Sequence, residues 1–365
     1  MGNWVSQPDR DKKASSDLID EQLEGDRKRS KKECKILVLG SGGSGKSTIF
    51  KLMKIAFQGG FTPEERDSYR GTIYKNVLDS AQAIALMMRK IGIQCADESN
   101  EALADRILGY RLEGPDEVLL SDIANAIHLF CQDGAILQLL DEHSSEFYLM
   151  DNAFYFFTEV LRIGAPGYWP TETDILHARA TTRTLAITET KLPMGPLEIH
   201  MVGVSGHRSL CHKWIHCFES VTSIIFCAAV SDYDQVLSED ETQNRMAESL
   251  VLFESVINSR WFLRTSIVLL LNKFDVLKKK VSKIPLERYF PEFSGGNDIN
   301  KAAKFILWRF MQANRARLSV YPHLTHVTDT STARLVCSAV KETVLHNALK
   351  DSRILRNALE DLETL

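Results

Sequence analysis

Gly40-Ser41-Gly42-Gly43-Ser44-Gly45-Lys46-Ser47 fits the pattern GxxxxGK[ST]. It stands between a short apolar run at 34–39 and a helix-patterned segment at 48–57. Glycines let successive backbone N–H groups turn inward, and a helix that starts at the loop adds partial positive charge, so this segment suits a phosphate chain. In that chemistry Lys46 reaches the β- and γ-phosphates and the Ser47 hydroxyl holds Mg²⁺. The motif specifies a nucleotide without naming its base.

A second segment names the base. Asn272-Lys273-Phe274-Asp275 follows an apolar run at 267–271, where the base-reading loop of such a fold lies. The Asp275 carboxylate can accept two hydrogen bonds from the N1–H and exocyclic amine of guanine, and adenine has no matching donor pair. GTP is therefore expected over ATP. A P-loop metabolic kinase would need a second substrate site and leaves 272–275 unexplained.

The elements that must position these residues follow from the hydrophobic pattern. Residues 34–39, the glycine loop and 48–57 read as strand, loop and helix. Gly59-Gly60 breaks the pattern, and 63–165 then shows long helical periodicity, with Ile73, Val77, Ala81, Ile84 and Met88 spaced by three or four. Gly164, Pro166, Gly167 and Pro170 mark a linker, after which strand-like runs return at 197–204, 223–230 and 265–271, separated by helical patterns. The expected class is α/β, a mostly parallel sheet interrupted by an inserted all-helical domain. The expected divisions are an N-terminal partner-contacting helix at 1–33, the sheet domain at 34–60 and 171–352, the helical domain at 61–170, and a tail at 353–365.

The chain's 365 residues suit two domains, and 44% hydrophobic with 25% charged residues is a globular composition. The formal net charge of −4 argues against a surface built for nucleic acid. Seven cysteines without CxxC spacing fit a reducing compartment, and no apolar stretch reaches the roughly 20 residues of a membrane helix.

With both motifs in place, the chain resembles heterotrimeric G-protein alpha subunits over nearly its whole length. Lys213-Trp214-Ile215-His216-Cys217-Phe218-Glu219, Ser231-Asp232-Tyr233-Asp234 and Asn244-Arg245-Met246 look like that family almost letter for letter, and small Ras-like GTPases lack them. The resemblance implies a Ras-like P-loop GTPase domain carrying the helical insertion, with GTP/GDP and Mg²⁺ as ligands. Asp174-Ile175-Leu176-His177-Ala178-Arg179 is similar to the first switch, which would make Arg179 the built-in catalytic arginine and Thr182 a second Mg²⁺ ligand beside Ser47. By the same resemblance Thr48, Asp151, Asn152 and Leu176 line the nucleotide, and Thr325-His326-Val327-Thr328 is the last guanine loop.

Several positions depart from the family's pattern. The second switch ordinarily reads Asp-x-Gly-Gly-Gln and here reads Gly203-Val204-Ser205-Gly206-His207. His207, in the place of the catalytic glutamine, cannot copy the acceptor and donor that orient the attacking water. Gly203 removes a carboxylate that would steady Mg²⁺, so weaker metal affinity is expected, while the Gly206 amide remains available to the γ-phosphate. Gly43 replaces a glutamate that pairs with the switch arginine, so Arg179 is expected to be less tightly held. Arg183 and Thr184 replace a Thr-Gly pair. Val327, bulkier than the family's alanine, is expected to speed GDP release.

At the N-terminus, Met1-Gly2-Asn3-Trp4-Val5-Ser6 fits N-myristoylation of Gly2. One acyl chain binds membranes only marginally, so a beta-gamma dimer or the basic cluster at 27–32 is expected to help. Residues 349–355 resemble the receptor-contacting tail, and ten residues follow. The expected function is thus a GTP/GDP switch coupling a seven-helix receptor to an effector at the cytoplasmic face of the plasma membrane, with hydrolysis impaired at Gly203 and His207. The alternative is a nucleotide-holding scaffold with little turnover.

Overall fold

The structure is a computed structural model. It describes residues 33–112, 114, 117–142, 147, 149–179, 187–194, 197–204, 217–237, 242–263, 265–325, 334, 338 and 341–343. The expected N-terminal helix, apart from residue 33, and the expected C-terminal tail lie outside these residues.

Six strands form one sheet in the order β2-β3-β1-β4-β5-β6. These are β1 (Glu33–Gly40), β2 (Thr188–Met194), β3 (Leu197–Gly203), β4 (Ser223–Ala229), β5 (Ser266–Asn272) and β6 (Val320–Thr325). Every neighbouring pair is parallel except β2 with β3, which run antiparallel in the register Thr188 opposite Gly203 to Met194 opposite Leu197. The mostly parallel sheet agrees with the sequence pattern. The antiparallel edge strand departs from that pattern, because 188–194 alternates too weakly between apolar and polar residues to read as a strand.

β4 and β5 are buried along their whole lengths, as continuous apolar runs in a sheet covered on both faces must be. Along β1 the side chains alternate between two cores. Leu37 and Leu39 join Phe226, Phe253 and Phe310 on one face, and Ile36 and Val38 join Ile49, Leu52 and Ile225 on the other. The first core is roofed by α8 (Arg245–Ile257) and α10 (Ile299–Gln312), and the second by α1 (Lys46–Gln58). Between β5 and α10 lies the short α9 (Phe274–Lys280).

Among the described residues of 61–170, every regular element is a helix: α2 (Pro63–Ile91), α3 (Ser99–Gly109), α4 (Ser121–Phe130), α5 (Gly134–Glu142) and α6 (Ala153–Ile163). Helix α2 starts at a capping box in which Thr62 and Glu65 bond each other's backbone N–H, with Pro63 at its first position. The stripe Ile73, Val77, Ala81 and Ile84 is wholly buried against Ile127, Phe130, Phe156 and Val160, a core separate from those flanking the sheet. Just after the expected linker at 164–170 the chain forms one more helix, α7 (Glu172–His177), started by a Thr171–Asp174 capping box. No single helix among the described residues is long and apolar enough to cross a membrane.

Candidate functional site

The site forms where β1 ends and α1 begins. Gly40 adopts φ 142°, and a side chain there would overlap the carbonyl oxygen of Cys227 on β4, so the loop must leave the sheet as glycine. Gly43 sits at φ 74° with its missing side chain facing two guanidinium groups: a Cβ would lie 2.8 Å from Arg245 Nη2 and 3.3 Å from Arg179 Nη2. Ser44 Oγ donates to Ser41 O (2.8 Å), which braces the turn. Lys46, in the first turn of α1, folds back so that its ammonium donates to Gly40 O (2.8 Å) and Ser41 O (2.7 Å). Burial lowers its pKa to about 8; nearby Cys227 partly opposes this and Arg179 adds to it. Ser47 is exposed and Thr48 half-buried just behind it.

The second motif is fastened directly to this loop. Asn272, at the end of β5, donates from Nδ2 to Ser44 O (2.9 Å), and its Oδ1 accepts from Thr325 Oγ1 at the end of β6 (3.5 Å). Lys273 takes a left-handed backbone (φ 61°, ψ 37°) as the cap of α9. That turn leaves Asp275 exposed in the first helical turn. The Lys273 ammonium pairs with Asp151 (2.6 Å) and lies 3.5 Å from Asp232. Burial opposes its charge, but the two carboxylates outweigh that and raise its pKa. Asp151 responds reciprocally: burial alone would raise its pKa, and Lys273 brings it below the usual carboxylate value. The helical block thus reaches the guanine-type loop through Asp151.

The segment before Arg179 is held at successive residues. Asp174, wholly buried, accepts from Arg162 (2.7 and 3.0 Å), Tyr155 (2.6 Å), Tyr168 (3.0 Å) and the Thr171 N–H (2.8 Å). Burial pushes its carboxyl pKa up, yet these donors, Arg162 foremost, hold it at about 2. Leu176 is buried in the core beneath α1. Asn152 donates to the His177 carbonyl. The His177 ring stacks on Tyr155 with centroids 3.9 Å apart, and burial lowers its pKa to about 4. Lys51 of α1 donates to Ile175 O (2.8 Å) and Ala178 O (2.6 Å).

Arg179 itself is anchored through its backbone: its N–H donates to Asn76 Oδ1 (2.7 Å) and its carbonyl accepts from Asn76 Nδ2 (2.9 Å). The looseness expected from Gly43 therefore does not extend to the main chain at Arg179. Arg245, N-terminal on α8, donates to Gly42 O (2.6 Å) and pairs with Asp232 (3.1 Å).

The structure thus brings together Gly40 to Thr48, Asn272, Lys273, Asp275, Asp151, Asn152 and Arg179, whereas Leu176, expected to line the nucleotide, lies in the core beneath α1. Thr182, Gly206, His207, Val327 and Gly2 lie outside the described residues. Gly203 closes β3 beside α1, and a Cβ there would come within 2.5 Å of Phe50 Cε2 and 2.7 Å of Cζ, so the Phe50 ring fills the space a side chain at 203 would need. Sequence reasoning passed over Lys51, Asn76, Phe50 and Arg245 as site residues. Two carried a signal: Lys51 interrupts the apolar run Ile49, Leu52, Met53, and Asn76 falls beside the buried stripe of α2, where a polar group is costly unless paired.

Lys46, Arg179 and Arg245 converge on a glycine loop at a helix N-terminus, and Lys46 turns to backbone carbonyls for its described hydrogen bonds. Such an arrangement fits an anionic polyphosphate, and the turned-out Asp275 fits a base with two donors. No cluster of three or more His, Cys, Asp or Glu side chains that could hold a metal occurs among the described residues, so a cation here would depend on hydroxyls such as Ser47 and on the phosphates themselves.

Comparison with known proteins agrees with this geometry. The G-alpha family model, described as the G-protein alpha subunit, matches residues 13–344. A guanine nucleotide-binding protein subunit alpha of Cryptococcus neoformans var. neoformans is 60% identical over 351 residues, 96% of this chain and 81% of the relative. The guanine nucleotide-binding protein alpha-3 subunit of Mycosarcoma maydis is 57% identical over 97% of this chain and 100% of its own length. The alpha-2 subunit of Saccharomyces cerevisiae is 46% identical over 89% of this chain and 73% of its own. With its sheet, helical insertion and glycine loop matched along most of its length, the chain belongs to the G-protein alpha subunit family.

Proposed function

We propose that this chain is the GTP/GDP switch of a heterotrimeric G protein, coupling a seven-helix receptor to an effector at the cytoplasmic face of the plasma membrane, and that it hydrolyses GTP slowly. Members of the family generally bind guanine nucleotides, act as GTPases, pair with beta-gamma subunits and associate peripherally with membranes. The observation that carries the proposal is the bond from Asn272 to Ser44 O, which fastens a base-reading loop to a phosphate-type loop.

In this reading Lys46 neutralises charge on the β- and γ-phosphates, and the loop amides orient them. Asp275 reads guanine and Lys273 covers the base. Arg179 stabilises the charge that develops as the γ-phosphoryl leaves. Mg²⁺, held by the Ser47 and Thr182 hydroxyls, would supply charge neutralisation at the phosphates. The Gly206 amide would donate to the γ-phosphate, and His207 would replace the water-orienting glutamine with a ring of different reach. The Phe50 ring beside Gly203 supports the slow reading, because the place of a metal-steadying carboxylate is filled by an apolar group.

Gly2 is the proposed myristoylation site, giving peripheral attachment completed by beta-gamma. Gly2→Ala should release the chain to the soluble fraction in cells lacking beta-gamma, and unchanged partitioning would refute the anchor. Two measurements on purified protein test the switch: binding of a non-hydrolysable GTP analogue against its ATP counterpart, then single-turnover hydrolysis. Guanine-selective binding with slow release of phosphate supports the proposal. Selective binding with no hydrolysis points to a nucleotide-holding scaffold, and equal affinity for both bases refutes the guanine assignment.

A further inference from the structure

We infer that Asn76, on helix α2 of the helical block, is the positioning residue for Arg179. This inference rests on the catalytic role proposed for that arginine. Asn76 is wholly buried in a helix whose neighbouring stripe is apolar, and its side-chain amide is spent on a single residue 103 positions away. Oδ1 accepts the Arg179 N–H at 2.7 Å and Nδ2 donates to the Arg179 carbonyl at 2.9 Å. An asparagine carries an acceptor and a donor on one rigid plane, so it can close on the N–H and C=O of one residue as a neighbouring β-strand would. Residue 179 lies just beyond the end of α7, where no helix or strand of its own fixes it.

The geometry assigns the two sides of the arginine to different parts of the molecule. Its Cα is set by the helical block through Asn76, and its guanidinium reaches the glycine loop, with Nη2 3.3 Å from the Cβ position of Gly43. A group that stabilises a transition state loses effect when displaced by about 1 Å. The arginine therefore occupies its working place only while α2 is closed against the segment after α7, and movement of the helical block withdraws it. Lys51 of α1 holds Ile175 and Ala178 independently, so the preceding residues keep their course when Asn76 is changed. That makes position 76 separable from the general fold of the segment.

The test uses the full chain preloaded with GTP, with Asn76→Ala and Asn76→Asp made in the unaltered and in the Arg179→Ala backgrounds. Three quantities are read: the single-turnover rate, the affinity for a non-hydrolysable GTP analogue, and hydrogen exchange of the Arg179 amide in the nucleotide-bound protein. Asn76→Ala should slow hydrolysis roughly tenfold, leave analogue affinity within about threefold, and speed exchange at the Arg179 amide. Asn76→Asp keeps the acceptor and loses the donor, so exchange protection should largely persist while hydrolysis slows by a smaller factor. Should either variant fail to fold, Asn76→Ser, small and uncharged, carries the same comparison. In the Arg179→Ala background neither change should alter the rate by more than about twofold.

Equal slowing in both backgrounds would show that Asn76 acts on the fold and not through the arginine, which overturns the inference. An unchanged rate despite lost amide protection overturns it as well. If Arg179→Ala itself leaves hydrolysis unchanged, the catalytic reading of Arg179 falls and the inference falls with it, an outcome distinct from the other two.

Discussion

Restoring a carboxylate at position 203 should fail unless Phe50 is reduced at the same time. An added Cβ at Gly203 meets the ring at 2.5 and 2.7 Å, where unstrained carbon contacts lie at about 3.5–4.0 Å, so the ring must retreat by roughly 1 Å. Phe50 is half-buried and packs on the core under α1, which restricts that retreat. Overpacking of this kind costs about 1–3 kcal/mol, so Gly203→Asp alone should lower the melting temperature by several degrees. Phe50→Val alone should cost about 1 kcal/mol through lost contacts, less than a fully buried aromatic would. Combined, the two changes should be less damaging than their sum by about 1 kcal/mol or more, the sign of a relieved clash. Thermal unfolding of the two single variants and the double, with bound GDP held constant, measures the coupling. A Mg²⁺ titration of analogue dissociation then asks whether the new carboxylate helps: the double variant should need less Mg²⁺ than the unaltered protein. Additive destabilisation would refute the steric account, and an unchanged Mg²⁺ requirement in a well-folded double variant would refute the role assigned to the missing carboxylate.

Asp275→Asn should weaken GTP by about 1–3 kcal/mol while leaving ATP binding nearly unchanged, as competition between the two nucleotides would reveal; equal losses for both would refute base reading by Asp275. Alpha subunits with their arginine in cis turn over at about 10⁻² per second, and loss of one well-placed polar group typically costs about a hundredfold, so the unaltered chain should hydrolyse near 10⁻⁴ per second. His207→Gln should recover part of that deficit in a single-turnover assay, and Gly43→Glu should add to it only as far as the Arg245 guanidinium yields to the new Cβ and the loop tolerates a side chain at φ 74°. An ordinary rate in the unaltered chain would refute the account. The Asp174 carboxyl titrates at about 2 in the folded chain, below its usual value, so between about pH 4 and pH 2 the unfolded chain binds the extra proton and stability falls as pH falls. Its contribution, about 2 kcal/mol, is complete above pH 4, and Asp174→Asn should flatten the acid limb of stability against pH.

The parts legible in the sequence were those whose chemistry is local. The glycine loop, Lys46 and 272–275 are contiguous runs in which each residue type has a reason at its own position, and the buried strands 223–229 and 266–272 announce themselves as apolar runs. What escaped notice depends on partners distant along the chain. Phe50 reads as an ordinary helix residue until β3 places Gly203 against its ring. Asn76 reads as a weak spot in a helix until Arg179 arrives to use both ends of its amide. The strand 188–194 is held by its antiparallel partner more than by its own pattern, and α7 rests on a capping box too short to produce periodicity.

The contact between Asp151 and Lys273 ties the helical block to the base-reading loop with an ion pair whose aspartate side chain keeps 37% of its exposure. At 0.15 M ionic strength charges are screened over about 8 Å, and this half-covered pair, whose Lys273 side chain keeps only 16% of its exposure, weakens modestly as salt is added. The amide grip of Asn76 acts through short, enclosed hydrogen bonds that salt hardly touches. Closure of the block therefore has a part that responds to ionic strength and a part that does not. The dwell time of a guanine nucleotide under the block should therefore shorten modestly with added salt and then level off, as release rates measured across a salt series would show.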